Sequence, residues 1–386
     1  MGKLIRKATG LTVGMATLLA GLLLPMTASA ESASPIDASP IIHYSFDNAL
    51  TSKTIANEGS AANSDATLSG DATVANGQIN LTGSQTISVP TTAIAGKRDV
   101  TVSIWLKNNY GNGNTAAAYI GAAKTGNYPA NGYWLLNPAN PSGYAKSVMT
   151  NATAADPNNS PWGTEVGPGS TNAATTGTKA TSDLALYTTV ISGTNSTMSF
   201  YLNGKQVGDV TYTIPAGGLT NYGDLVAYIG KSSYADPNSK LDVDDYAVYD
   251  TAISAADVTK LYDAQVLDKA EAAVKAAVPA SATEDFALPT SAAGVSIAWK
   301  SDNAAIAVDN ATGKATVTRP AATAADAEVI LTATFGNNAK TADYTVLVPS
   351  KPRPTLTSSP SRTPTTSVAT SPCPPRATMV RPSRGK

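Results

Sequence analysis

The chain has 386 residues, of which 42% are hydrophobic and 14% are charged, so it is long enough to form two domains with hydrophobic cores. Its formal net charge is −1, but three basic residues precede residue 31 and seven follow residue 349, which leaves 17 basic against 28 acidic residues between them. An acidic body is a poor electrostatic match for nucleic acid, and we exclude nucleic-acid binding on that ground. The only cysteine is Cys373, so the fold must form without internal disulfides.

The N-terminal segment has the layout of a secretory signal peptide. Three basic residues lie within residues 1–10, an uncharged apolar run covers residues 11–24, and Ala28-Ser29-Ala30 follows. The apolar run is short for a bilayer span. We therefore expect cleavage after Ala30, a linker at residues 31–40, and a secreted protein, free or attached to the cell surface, that does not insert into the membrane after cleavage.

The central part of the chain carries the alternation that predicts β-strands. In residues 101–107, Val102, Ile104 and Leu106 alternate with residues that are mostly polar, which is the period of a strand with one buried face. Asn203-Gly204 predicts a two-residue hairpin turn, because both positions tolerate positive φ. Many short strands of this kind, without helices between them, predict a β-sandwich.

A helix and a second series of strands follow. Ser254 and Asp257 form a capping pattern at the start of a helical periodicity that ends before Pro279. Short apolar runs then recur from residue 286 to residue 348. These runs predict a second, smaller β-unit.

Four motifs in the first β-region resemble one family. They are HYSFDN at residues 43–48, TVSIWLK at 101–107, FYLNGK at 200–205 and the segment 228–262, and they occur in the order found in the bacterial LamG-type (laminin G-like, concanavalin A-like) jelly roll. The resemblance covers residues 41–265. It implies a concanavalin A-like jelly-roll β-sandwich, a fold whose members bind sugars, bind proteins or space other domains.

The second β-region resembles the atrophied bacterial Ig-like domain. The segments LPT, IAWKS, GKATVTRP, VILTAT and YTVLV follow the pattern of that family between residues 266 and 349. The expected fold class is therefore all-β, with a jelly-roll β-sandwich and a small Ig-like β-sandwich joined by a short helical segment.

The tail at residues 350–386 is rich in Pro, Ser, Thr and Arg and has no acidic residue. A segment of this composition cannot bury a core, so we expect it to be disordered. Two interpretations stay open. The tail is either a cell-wall linker or the product of a frameshift that truncates a longer protein.

The first domain lacks the residues of known glycosidase and hydrolase sites. Its only glutamates are Glu58 and Glu165, and neither belongs to the E-x-D-x-x-E pattern of catalytic members of the sandwich fold. The sole histidine, His43, excludes a histidine-rich zinc site and is expected to cap the first strand. We therefore expect no catalytic residues in this chain.

Three aspartates are candidate metal ligands. Asp244 and Asp245 match the paired acids that precede the penultimate strand of the resembled family, and Asp47 matches the acid after its first strand. The jelly-roll topology that the resemblance implies would bring these strands together, and hard oxygen ligands suit a structural Ca²⁺ ion. The alternative is a solvated acidic turn without a metal.

Aromatic residues in the loops are candidate sugar-binding residues, because sugars stack their apolar faces on aromatic rings. Trp162, in a turn-forming stretch, is the first candidate, and Tyr128 and Tyr144 are possible companions. The alternative for Trp162 is packing under its own loop. Trp105 and Trp134 are expected between the sheets, and Trp299 in the core of the Ig-like unit.

The resemblance of both domains also implies a context, because such modules stand beside the catalytic domains of secreted bacterial glycoside hydrolases of the arabinofuranosidase and arabinanase type. We therefore expect a secreted, non-catalytic pair of accessory modules of a polysaccharide-degrading enzyme, whose partner is a neutral plant cell-wall polysaccharide. Two alternatives are a truncated remnant of an arabinose-releasing glycoside hydrolase and a cell-surface adhesin.

Overall fold

The computed structural model of the chain describes residues 36–125, 128–129, 132–151, 161–336 and 340–353. The predicted signal peptide and nearly all of the predicted tail lie outside these residues. Contacts divide the chain into two compact units. One runs to Ala277 and includes Pro289–Ile297 and Thr334–Lys340, and the other consists of Val278–Leu288, Ala298–Ala333 and the chain from Thr341 onward.

The strands before residue 250 form two large antiparallel sheets. Among the described residues, the first sheet has nine strands: β1 (Ile42–Tyr44), β4 (Thr73–Ala75), β5 (Gln78–Leu81), β7 (Asp99–Asn108), β14 (Ala185–Ser192), β15 (Thr197–Leu202), β16 (Lys205–Gln206), β17 (Tyr212–Thr213) and β19 (Leu241–Tyr249). The second has eight: β2 (Thr54–Ile55), β3 (Ala66–Ser69), β6 (Thr86–Val89), β8 (Ala118–Ala122), β11 (Tyr133–Asn137), β12 (Lys146–Thr150), β13 (Glu165–Val166) and β18 (Leu225–Ile229). A two-stranded ribbon of β9 (Lys124–Thr125) and β10 (Tyr128–Pro129) stands apart from both.

The order of strands confirms a jelly-roll sandwich. The nine-stranded sheet runs β16-β15-β14-β7-β19-β5-β4, with β1 beside β19 and β17 beside β15, and the eight-stranded sheet runs β13-β12-β11-β8-β18-β6-β3-β2. Neighbours in space are distant in sequence, as in β19, which pairs with β1, β5 and β7. The inward residues of both sheets form one buried hydrophobic core.

The alternation in residues 101–107 predicts one face of β7 correctly, but the other face is buried as well. Val102, Ile104 and Leu106 belong to the sandwich core. On the opposite face, the hydroxyl of Thr101 donates to the carbonyl of Thr251 at 2.7 Å. Central strands of a sheet covered on both sides satisfy their polar side chains in this way.

Helix α1 (Ala255–Ala277) begins at the predicted cap. The Asp257 amide donates to Ser254 Oγ at 3.1 Å, and the Ser254 hydroxyl donates to the Asp257 carboxylate at 2.7 Å. The helix is continuous across the boundary predicted between residues 265 and 266, and contacts place it in the first unit. The domain boundaries stay a prediction.

Trp105 is not between the sheets, and that prediction is wrong. Its indole stacks on Tyr262 of helix α1 with ring centroids 5.9 Å apart, and its Nε1–H donates to Gln265 Oε1 at 2.8 Å. Trp105 follows Ile104 in β7, so its side chain must point to the face opposite the core. Trp134 is fully buried in the sandwich core, as predicted.

The predicted hairpin at Asn203-Gly204 is confirmed. These residues connect β15 to β16 with φ values of 51° and 73°, the two positive values that a type I′ turn requires.

The strands after helix α1 form two small sheets. They are β20 (Phe286–Ala287), β21 (Ser291–Ala292), β22 (Val295–Ser301), β23 (Ile306–Asp309), β24 (Lys314–Val317), β25 (Ala327–Phe335) and β26 (Lys340–Val348). Their orders are β20-β24-β23 and β21-β22-β25-β26. Trp299 is buried as predicted, with its ring 5.9 Å from that of Tyr344. Among the described residues, no helix is long and apolar enough to cross a membrane.

Candidate functional site

A pocket of about 470 Å³ lies on the outer face of the eight-stranded sheet. Tyr133 and Leu135 of β11 line it, whereas their neighbours Trp134 and Leu136 point into the sandwich core. Side chains alternate along a strand, so the pocket stands on the face turned away from the core. Tyr133 and Leu135 form a separate hydrophobic cluster on this face.

Aromatic rings build one wall of the pocket. Tyr133 stacks on Tyr119 of β8 at 5.7 Å, and Tyr234 meets Tyr133 edge-on at 5.4 Å and 88°. Trp162, in the short 3₁₀ helix Pro161–Thr164, meets Tyr234 at 6.1 Å and 67°. Tyr119 and Tyr133 are buried, whereas Tyr234 and Trp162 are half-buried. Only the latter two therefore offer ring surface to a ligand.

A buried ion pair lies beside this wall. The Glu165 carboxylate accepts the Tyr133 hydroxyl at 2.7 Å and both the amide and the hydroxyl of Thr171 at 3.0 Å. Its Oε2 also lies 2.8 Å from Nζ of Lys146. The Glu165 side chain is 2% exposed, so these contacts take the place of water around a buried charge.

Burial and the charge of Glu165 both act on the pKa of the Tyr133 hydroxyl. Burial, and then the negative charge of Glu165, raise the pKa of Tyr133 well above its usual value. Tyr133 therefore remains a hydrogen-bond donor to Glu165.

The loops around the pocket are held by asparagine side chains. Asn140 accepts the amides of Ser142 and Tyr144 at 3.0 Å and donates to the carbonyls of Gly169 and Ala174. This buried amide is thus occupied by the backbone and frames the pocket. The exposed polar residues that line it are Asn114, Ser142, Thr171 and Asp236.

The structure brings one of the three predicted ligand-binding residues into this pocket. Trp162 lines it. Tyr144 does not, and its ring lies under the ammonium of Lys179, 3.8 Å from the ring centroid. The side chain of Tyr128 lies outside the described residues. That these residues bind a ligand stays a prediction.

Sequence reasoning missed the residues that complete the pocket. Lys146, Glu165 and Tyr234 all line it, and none of them is among the residues that the sequence predicts to bind a ligand. One signal was available, because Glu165 is one of only two glutamates in the first domain. The others are brought together by strand register and loop packing, which the sequence does not display.

The predicted metal ligands belong to a second cluster. Asp244 and Asp245 lie within β19, so their placement before a strand is wrong. The register between β19 and β7 shifts between Val243 and Tyr246, which marks a β-bulge. Consecutive side chains of a regular strand point to opposite faces, and the bulge allows both carboxylates to reach one partner.

That partner is a lysine of helix α1. Nζ of Lys269 lies 2.5 Å from Asp244 Oδ1 and 2.5 Å from Asp245 Oδ2. His43 Nε2 lies 2.8 Å from Asp245 Oδ1. The predicted role of His43 as a cap is also wrong, because it is the middle residue of β1 and pairs with this carboxylate.

The pKa values of the charged groups in this cluster depend on two opposing effects, burial of each charge and its pairing with opposite charges. Burial raises the pKa of Asp244 to about 7, although Lys269 acts to lower it. For Asp245, burial acts in the same direction, but hydrogen bonds and charge from His43 and Lys269 outweigh it and lower the pKa. Burial acts to lower the pKa of Lys269, and the two carboxylates raise it overall.

The calcium prediction stays a prediction. Asp47 is exposed, and the ammonium of Lys269 lies against both other carboxylates. In the part of the chain that the structure describes, no group of three or more His, Cys, Asp or Glu side chains is arranged to hold a metal ion. A Ca²⁺ ion at Asp244 and Asp245 would have to displace this ammonium.

Comparisons with known families agree with the two β-regions. Residues 81–259 match the concanavalin A-like lectin/glucanases superfamily, and residues 266–351 match the atrophied bacterial Ig domain. No curated protein sequence matches the chain.

Solved structures show weak likenesses. Domain 4 of a GH43 extracellular arabinanase from Geobacillus stearothermophilus, in complex with arabinotriose, is 19% identical with a TM-score of 0.40, over 58% of this chain and 98% of that domain. Trypanosoma rangeli sialidase is 11% identical with a TM-score of 0.40, over 60% of this chain and 33% of the sialidase. The receptor-binding domain of a botulinum neurotoxin C/D mosaic serotype is 13% identical with a TM-score of 0.43, over 80% of this chain and 73% of that domain.

Likenesses this weak say nothing about ligands of the chain. The family matches, however, confirm the resemblance seen in the sequence motifs: residues 81–259 are similar to the concanavalin A-like lectin/glucanases superfamily, and residues 266–351 are similar to the atrophied bacterial Ig domain.

Proposed function

We propose that this chain is a secreted, non-catalytic pair of accessory modules, and that its first domain binds a neutral glycan in the pocket on the outer face of the eight-stranded sheet. One observation carries the proposal. Half-buried Trp162 and Tyr234 stand beside exposed amide, hydroxyl and carboxylate groups at the rim of the same concave site. A sugar needs this combination, because its C–H face stacks on a ring while its hydroxyls form hydrogen bonds.

The charges of the pocket support a neutral ligand. Lys146 is paired with Glu165, and Asp236 adds a further negative charge at the rim. The body of the protein is acidic as well. An anionic glycan would meet repulsion at long range and at the site, whereas stacking on an indole does not depend on ligand charge.

The state of Glu165 supports binding without hydrolysis. Glycoside hydrolysis requires two carboxyl groups that flank the scissile bond, one of which gives or takes a proton. Both oxygens of Glu165 are occupied by Tyr133, Thr171 and Lys146. Its carboxylate is therefore a poor candidate for an acid or a nucleophile.

The resemblance of both domains implies the context of the pair. We propose that it serves an enzyme that degrades plant cell-wall polysaccharide, of the arabinofuranosidase or arabinanase type, with the Ig-like unit as a spacer. The truncated remnant of such an enzyme and the adhesin are the alternatives to this context.

Affinity electrophoresis on arabinan, arabinoxylan and arabinogalactan tests the proposal. The wild type should be retarded on at least one gel, and Trp162→Ala should weaken binding several-fold, because losing one stacking contact costs about 1 kcal/mol. Tyr212→Ala is the matched control, since Tyr212 is half-buried in β17 of the other sheet. Equal retardation of wild type and Trp162→Ala would give Trp162 a structural role. No retardation on any gel would leave the adhesin or a pure spacer.

A further inference from the structure

We infer that Glu165 determines the charge selectivity of the pocket: it holds the Lys146 ammonium in an ion pair, so that the site accepts uncharged sugars and rejects those that carry a carboxylate. The inference rests on the proposed glycan-binding function and names the residue that restricts its ligand class.

Lys146 is the cation to consider. Among the described residues that line the pocket, it is the only lysine or arginine. Its side chain is 15% exposed, and its Nζ lies 2.8 Å from Glu165 Oε2. An unpaired ammonium at such a site would attract a sugar carboxylate through a charge-assisted hydrogen bond.

Glu165 is held in place by more than Lys146. Its Oε1 accepts the Tyr133 hydroxyl, and its Oε2 accepts two hydrogen bonds from Thr171. Moving the carboxylate away from Lys146 would break these bonds around a side chain that is only 2% exposed. The carboxylate is thus a fixed counter-charge that a ligand carboxylate cannot easily displace.

The net charge of the pocket lining disfavours an anionic ligand. Lys146 and Glu165 cancel, and Asp236 leaves the lining with one net negative charge. A ligand carboxylate would gain no free cation and would face two carboxylates, the buried Glu165 and the exposed Asp236.

A substitution that removes the charge but keeps the shape gives the direct test. Glu165→Gln can keep its single amide oxygen as the acceptor for Thr171, with its NH2 group facing the Tyr133 hydroxyl, and it releases Lys146 from its ion pair. Retention on immobilised polygalacturonate, relative to the neutral glycan that the wild type binds best, should rise about tenfold or more. The gain should disappear at high salt and in the double variant Glu165→Gln with Lys146→Met.

The control is Glu58→Gln, which changes the other glutamate of the domain, outside the pocket. It should leave retention on polygalacturonate, relative to the neutral glycan, unchanged. If the wild type binds a neutral glycan but Glu165→Gln gains nothing on polygalacturonate, the inference is overturned and the proposed function stands. If the wild type binds no glycan, the proposed function itself fails.

A second variant covers the case in which Glu165→Gln does not fold. Asp236→Lys places an ammonium at the exposed rim and replaces neither member of the buried pair. If the charge of the pocket controls selectivity, this variant should also be retained on polygalacturonate in a salt-sensitive way. No retention would overturn the inference.

Discussion

The ammonium of Lys269 lies 2.5 Å from Oδ1 of Asp244, so an ion pair joins helix α1 to strand β19. The same ammonium lies 2.5 Å from Asp245 Oδ2. The three side chains are 16%, 4% and 14% exposed, so little water reaches them. The helix is therefore fixed to the jelly roll by charge as well as by the stacking of Tyr262 on Trp105.

Removing the ammonium should destabilise the first domain strongly. We expect Lys269→Met to lower the free energy of unfolding by about 3 kcal/mol, because the buried Asp245 carboxylate loses a counter-charge and Asp244, whose pKa is already raised, takes up a proton. Urea unfolding followed by circular dichroism measures this. Lys260→Met is the control, since its pair with Asp257 is exposed and should matter little. Equal losses in the two variants would contradict a special role for the buried cluster.

Calcium binding can be tested at the same residue. If Ca²⁺ binds through Asp47, Asp244 and Asp245, its binding to the native state should raise the melting temperature with ion concentration. The rise should be larger in Lys269→Met than in the wild type, because no ammonium then competes for the carboxylates. Melting curves that superimpose in EDTA and in excess Ca²⁺, for both proteins, would exclude the site.

A pH dependence is expected from Asp99. Its carboxylate accepts hydrogen bonds from Ser192 Oγ and from the amide and hydroxyl of Thr194. Burial acts to raise the pKa of Asp99, but these hydrogen bonds outweigh it and lower the pKa below the usual 3.8. The stabilisation is therefore fully present above pH 3.8 and is lost as the pH falls through the lowered value.

Asp99→Asn isolates this contribution. The wild type should be more stable than the variant at neutral pH, and the difference should shrink as the pH is lowered below the usual pKa of 3.8. Urea unfolding of both proteins across this range measures it. A difference that stays constant as the pH falls would show that the carboxylate charge contributes nothing.

The features that the sequence predicts correctly are those that depend on local patterns of residues. Val102, Ile104 and Leu106 mark a strand through their period, Asn203-Gly204 marks a turn through its backbone freedom, and Ser254 with Asp257 marks a helix start. Each of these signals lies within a few residues, so propensity and hydrogen bonding at short range decide it.

The features that the sequence does not predict depend on contacts between residues that are distant along the chain. Lys146 meets Glu165 through the pairing of β12 with β13. Asp244 meets Lys269 because a bulge turns one of two adjacent carboxylates, and an acidic pair in a sequence does not reveal a bulge. The sequence does not predict the face of β7 on which Trp105 lies, because the helix that covers that face begins only at Ala255.

The last prediction uses the chain's own fluorescence. Of its four tryptophans, Trp105 and Trp134 are fully buried and Trp299 is 5% exposed, so Trp162 is the one that a quencher in solution can reach. Acrylamide, which is uncharged, should therefore quench one fraction of the emission, and Trp162→Phe should remove that fraction.

A glycan stacked on Trp162 should protect it. Adding the neutral oligosaccharide that the protein binds should reduce acrylamide quenching of the wild type to the level of Trp162→Phe, because the ring is then covered by the sugar. The same addition should not change the quenching of Trp162→Phe. Saturating ligand that leaves the wild-type quenching unchanged would place the bound sugar away from Trp162, even if binding itself is observed.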